Sequence, residues 1–185
     1  MIYPVSLGLA AVVAGLLLLV SHLPVLFLPS KAPHLLASLP RHRILGWVLL
    51  ALATLWFATL LGRIDLMEYT PHRLKFVLAV LVVGGLSAVY LEDFLAARAL
   101  GALLLLAAQV LLDAAFLRDE TSRLAVTCTA YAWIIAGMLL VGMPYLSRDV
   151  LAWLNDRPPR LTLAASLGAA WGLVLLVLGL AVYRL

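Results

Sequence analysis

The chain is short of charge. Of its 185 residues, 12% are Asp, Glu, Lys or Arg, with 13 basic and 9 acidic side chains. It has a single cysteine, Cys128, so no disulfide can form within the chain and a disulfide-stapled scaffold is excluded. No stretch alternates apolar and polar residues with period two, which excludes a transmembrane β-barrel. No Lys or Arg precedes the first apolar block, and that block is too long for the core of a cleaved signal peptide. Connections long enough to hold a soluble domain are missing as well. The longest is 28–43, interrupted by Pro29, Pro33 and Pro40.

What the chain has in abundance is apolar surface. Hydrophobic residues make up 65% of it, and the mean hydropathy is +1.12. A soluble domain of this size has too little interior to hide so much. The apolar residues fall into six blocks, at 3–27, 44–61, 74–91, 95–117, 124–145 and 161–183. Each is close to the ~20 residues needed to cross a bilayer as a helix. Leu and Ala dominate them, and both are strong helix formers. Backbone polar groups in lipid must be satisfied within the segment, which a helix achieves. The expectation is an all-α, polytopic integral membrane protein: one transmembrane domain over 1–185, six helices and short loops.

Proline and turn signals refine the outline. Pro24 and Pro29 predict that the first helix ends near Ser21–Pro24. The tight Glu92–Asp93 turn predicts that the third and fourth spans pack as an antiparallel hairpin. Residues 147–156 read as a short interfacial helix capped by Ser147 and stopped by Pro158 and Pro159, with Val150, Leu151, Trp153 and Leu154 on its apolar face. No internal repeat is evident, so the inverted-repeat signature of many secondary transporters is missing.

Six spans place both termini on one side. The basic residues on that side are Arg63, Arg73, Lys75, Arg118, Arg123 and Arg184, six in all, against seven opposite: Lys31, Arg41, Arg43, Arg98, Arg148, Arg157 and Arg160. That split is nearly even, and the first helix breaks the tie, with basic residues after it and none before. Both termini are therefore expected outside, in a bacterial cytoplasmic (inner) membrane. The pI of about 9.6 does not signal nucleic-acid binding, because the basic residues form no patch. Attraction to anionic headgroups accounts for it.

Polar side chains inside the spans need an explanation. Arg98, Gln109 and Asp113 fall within an arc of roughly 60° on the fourth span, with Ala102 on the same face. They read either as a polar pathway or as interhelical hydrogen-bonding groups with snorkelling ends. Arg123, Thr127 and Tyr131, each four apart, form a matching face on the fifth span. An Asp113–Arg123 ion pair is expected there, with Arg118 as an equal competitor. Glu92 and Asp93 are adjacent acids that suit proton or metal handling, or charge balance with Arg98 and other nearby arginines.

Asp93-Phe94-Leu95-Ala96-Ala97-Arg98 partly resembles the D-G-x-x-A-R opening of CDP-alcohol phosphotransferases, which are lipid-synthesising membrane enzymes. The resemblance covers six residues. Phe94 replaces the glycine, and the downstream glycine and paired aspartates are missing, so the two-metal site of that family is not expected. The paired D-x-x-x-D motifs of intramembrane prenyltransferases are missing too. His22, His34, His42 and His72 lie towards the interfaces and do not form the facing pair that haem needs. No metal site is expected, and no cofactor is implied.

Small residues supply a packing signal. Ala164, Gly168 and Gly172 form small-xxx-small steps on the sixth span, and Ser6, Ala10 and Ala14 do so on the first. These faces serve the bundle or dock a partner, either another membrane chain or a second copy. Three functions follow. The first is a small non-enzymatic subunit or anchor of a larger membrane assembly. The second is a small transporter or proton-conducting protein using Gln109, Asp113, Glu92 and Asp93. The third is a lipid-modifying enzyme with its acids at the headgroup level. The subunit reading ranks first, and an enzyme is not favoured.

Overall fold

A computed structural model describes residues 3–29, 32–38, 42–91 and 94–183. Six helices in it are long and apolar enough to cross a membrane. In chain order the helices are α1 (Leu7–Phe27), α2 (Ala32–Ser38), α3 (Arg43–Arg63), α4 (Arg73–Tyr90), α5 (Leu95–Ala115), α6 (Arg123–Gly142), α7 (Tyr145–Asn155) and α8 (Pro158–Val177). The short α2 and α7 lie in the connections. A 3₁₀ turn, Met67–His72, leads into α4, and a π turn, Leu178–Val182, extends α8. No strand occurs among the described residues. The chain is an all-α integral membrane protein.

Local chemistry sets the helix ends. Ser6 Oγ accepts the Leu9 N–H at 3.2 Å and caps α1. His42 Nδ1 accepts the Leu45 N–H at 3.2 Å and caps α3. Each satisfies a donor that the first turn leaves without a partner. Two expected ends moved. α1 runs through Pro24 to Phe27, and the Leu28 N–H closes onto the Pro24 carbonyl at 2.9 Å. Proline removes one donor and crowds the preceding turn, but here the helix has only one turn left to complete. α7 begins at Tyr145, and Ser147 does not cap it. The Ser147 Oγ–H instead donates back to the Pro144 carbonyl at 2.6 Å. Pro158 and Pro159 do more than stop α7: they form the first turn of α8, where a missing N–H costs nothing.

α5 is the hub. It packs against α6, α3 and α1. α1 and α8 form a second tightly paired unit, and α4 leans on α3. The buried core gathers Leu7, Ala11 and Ala14 of α1, Ala108 and Leu111 of α5, Val126 and Ala130 of α6, and Leu175 of α8. The expected hairpin of α4 and α5 is therefore corrected. Consecutive in sequence, they do not pack closely on each other, and α3 packs against both. Phe94 turns the chain into α5 with a left-handed backbone (φ 57°).

Helices meet where glycines allow it. A Cβ added at Gly15 of α1 would lie 2.6 Å from the Gly172 carbonyl oxygen of α8, and one at Gly172 would lie 2.9 Å from the Gly15 oxygen. Gly101 of α5 and Gly137 of α6 oppose each other in the same way, each 2.8 Å from the other's carbonyl oxygen. Lipid tails are as apolar as Leu, so helices gain little by leaving lipid. Close backbone approach and dispersion then decide the pairing. The small-residue faces expected on α1 and α8 pack against each other, with a shifted register. Ala10, Ala14 and Gly172 are buried, whereas Ser6 is an exposed cap. The buried small residues of α8 are Ala165, Ala169 and Gly172, and Gly179 is buried in the π turn that extends it. Ala164 is half-buried, and Gly168 lies under the His22 ring.

Candidate functional site

The sequence-predicted polar residues divide into three places. The first is a knot beneath the bundle, on the side of the termini. Asp113, near the end of α5, accepts the Tyr3 N–H on Oδ2 at 3.2 Å and the Gln109 Nε2–H on Oδ1 at 3.1 Å. Tyr3 extends the knot to α3, where its hydroxyl accepts the Trp56 Nε1–H at 2.8 Å. One carboxylate thus joins the segment before α1 to α5, and Tyr3 carries the link on to α3. A half-buried acid in a membrane needs such donors, because an uncompensated charge is costly there.

The expected Asp113–Arg123 pair does not form. Arg123 Nη1 donates to the Ala115 carbonyl at 3.2 Å, satisfying one of the acceptors left over at the end of α5. The matching face on α6 also separates. Thr127 bonds back to its own helix at the Arg123 carbonyl, and Tyr131 is exposed. α6 turns a different face inward, and its polar contact is Thr129. The Thr129 hydroxyl donates to the Ala125 carbonyl at 2.8 Å and accepts the Trp171 Nε1–H of α8 at 2.9 Å. Thr129 is 3% exposed and is the one buried polar side chain among the described residues. Sequence reasoning passed over it because no ionisable group marked it.

The second place is the opposite membrane face. α2 and α7 pack together there, and Asn155 Nδ2 donates to the Pro33 carbonyl at 3.3 Å. The Arg160 guanidinium lies 4.6 Å from the Trp153 ring centroid, and that of Arg43 lies 5.1 Å from the Trp47 ring. These are cation–π contacts of the kind that anchor helices at the headgroup level. Arg98 emerges on this side. Its Nε is buried and has no hydrogen-bond partner among the described residues. Glu92 and Asp93 lie outside the described residues.

The third place is a pair of apolar grooves. One, of about 700 Å³, runs between α4 and α5 over a floor of α3. The other, of about 600 Å³, lies under α2 and α7, between α3, α5 and α6. Among the described residues no group of three or more His, Cys, Asp or Glu side chains is arranged to hold a metal ion. The histidines serve separate local roles. His22 Nδ1 lies 2.8 Å from the Leu18 carbonyl oxygen. A carbonyl only accepts, so that nitrogen carries the proton. His42 is a cap, and His34 and His72 are exposed. No family model, curated protein or solved structure matches the chain.

Proposed function

We propose that the chain is a small non-enzymatic subunit or anchor of a larger membrane assembly, and that α4 carries the docking face. One observation supports this above others. α4 and the turn leading into it have the length and hydropathy of a membrane span, yet 0% of that span is buried. In the most apolar 18-residue stretch of every other span the buried share is between 17% and 39%. The face of α4 turned away from α3 carries Leu78, Leu81, Val82, Gly85 and Val89, all exposed. Gly85 has open space where a Cβ would stand. A small residue amid large apolar ones is what close approach of another helix requires.

The transport reading relies on Gln109, Asp113, Glu92 and Asp93; the first two are engaged in the knot that fastens Tyr3, and the last two lie outside the described residues. The enzyme reading relies on Glu92 and Asp93, which are outside the described residues. The test is extraction of the native membrane in a mild detergent, followed by native mass spectrometry and cysteine crosslinking from Val82→Cys in a Cys128→Ser background. Stoichiometric partner chains, or a second copy, crosslinked through position 82 are the expected result. A lone monomer without crosslinks overturns the proposal.

A further inference from the structure

We propose that the groove between α4 and α5 is a site for one anionic glycerophospholipid, its acyl chain along the groove and its phosphate on Arg98. The volume of about 700 Å³ falls within the ~300–1,000 Å³ typical of small-molecule sites. The lining is nearly all apolar, with Ala79 and Val83 on one wall, Ala53 and Phe57 in the floor, and Ala102 and Leu106 on the other wall. On α4 the groove extends from Phe76 to Ser87, about 16 Å along the helix axis. One leaflet of the hydrocarbon core is about 15 Å deep, so the groove matches the reach of a single acyl chain.

Arg98 lies one turn beyond the groove lining on α5. It stands four residues before Ala102 on the same face of α5, towards the membrane side opposite the termini. Side chains on a helix lean towards its N-terminus, so the guanidinium is carried from the mouth of the groove towards the headgroups. Its Nε is buried and makes no hydrogen bond among the described residues, so the phosphate meets the terminal nitrogens of the guanidinium. Ion pairs among the described residues join Arg148 to Asp149 and Arg160 to Asp156, and neither involves Arg98. A phosphodiester presents the acceptors that a planar guanidinium binds best. The bulk membrane also supplies phosphates, but only a lipid whose chain lies in the groove holds its phosphate at this residue. This site is separate from the outward face of α4 and does not depend on the subunit reading.

The test uses the full chain in detergent micelles doped with dioleoyl phosphatidylglycerol or with dioleoyl phosphatidylcholine, read by native mass spectrometry under collisional activation. One phosphatidylglycerol per chain is expected to survive activation that strips other lipid. Arg98→Gln is expected to weaken its retention about ten- to a hundredfold, the range of a hydrogen bond to a charged group. Ala102→Phe, which fills the groove, is expected to abolish retention of both lipids. Arg148→Gln, on the same membrane face, is expected to leave it unchanged. Equal loss in Arg98→Gln and Arg148→Gln, or wild-type retention in Arg98→Gln, reduces the arginine to a non-specific snorkelling charge and overturns the proposal. Should Arg98→Gln fail to fold, undiminished retention in Ala102→Phe overturns it independently.

Discussion

Gly15 and Gly85 are both glycines within spanning helices, and alanine is expected to act in opposite directions at the two. Gly→Ala in a helix interior gains about 1 kcal/mol of propensity. At Gly85 nothing stands within 4 Å of the new Cβ, so the gain is realised and Gly85→Ala is neutral to about 1 kcal/mol stabilising in the isolated chain. At Gly15 the Cβ lands 2.6 Å from the Gly172 carbonyl oxygen and 2.9 Å from the Leu176 nitrogen. Both neighbours are backbone, so no rotamer change relieves the clash and α8 must shift bodily from α1. Overpacking of this kind costs about 1–3 kcal/mol, and separating the helices forfeits dispersion along the rest of their contact. The propensity gain offsets part of it, leaving a net loss of about 1–2 kcal/mol. Gly15→Leu is expected to exceed that and to disrupt pairing. The assay is reversible unfolding in mixed micelles by titration with a denaturing detergent, followed by circular dichroism. Equal stabilisation by alanine at both positions would refute the close crossing of α1 and α8. A loss at Gly85 in the assembled complex, with none in the isolated chain, would place a partner helix on α4.

Thr129→Val removes the acceptor for the Trp171 indole and is expected to cost about 0.6–1.7 kcal/mol, the span of interhelical hydrogen bonds in membranes. Trp171→Phe in that background should add only its packing loss, which a double-mutant cycle reads directly. Asp113→Ala leaves the Tyr3 N–H and the Gln109 amide without their acceptor and is expected to cost about 1–3 kcal/mol. Hydrogen exchange at the Tyr3 amide should then rise, and unchanged protection would show that the knot does not hold the segment.

The six spans were legible because hydropathy is a one-dimensional signal and a bilayer imposes one length. The expected blocks at 44–61, 74–91 and 95–117 lie within a few residues of Arg43–Arg63, Arg73–Tyr90 and Leu95–Ala115. The neighbours of each span were much less legible. Leu and Ala cover all sides of these helices, so the pattern carries little information about which face is inside. The hairpin reading of α4 and α5 failed for that reason: short connections favour adjacency, but glycine and alanine faces decided the packing. Gly46 of α3 meets the backbone of Ala96 in α5, so a Cβ there would lie 3.0 Å from the Ala96 nitrogen. No loop length predicts that approach.

The polar residues show the same limit from another side. The Arg98–Gln109–Asp113 stripe was read from helical periodicity, and Gln109 and Asp113 bond to each other one turn apart. Their further partner, Tyr3, is 110 residues from Asp113 and lies outside any helix. No local pattern could pair them. Charge made Arg123 look like the natural partner of Asp113. The Tyr3 N–H and the Gln109 amide both donate to the carboxylate, while Arg123 donates to the open carbonyl at the end of α5. Periodicity thus places a membrane side chain on a face, and the unsatisfied backbone groups at helix ends go far towards deciding what it touches. Arg98 sits near the start of α5, one turn beyond the groove lining at Ala102. The same reasoning leads from its place at the headgroup end of the groove to a phosphate supplied by the lipid.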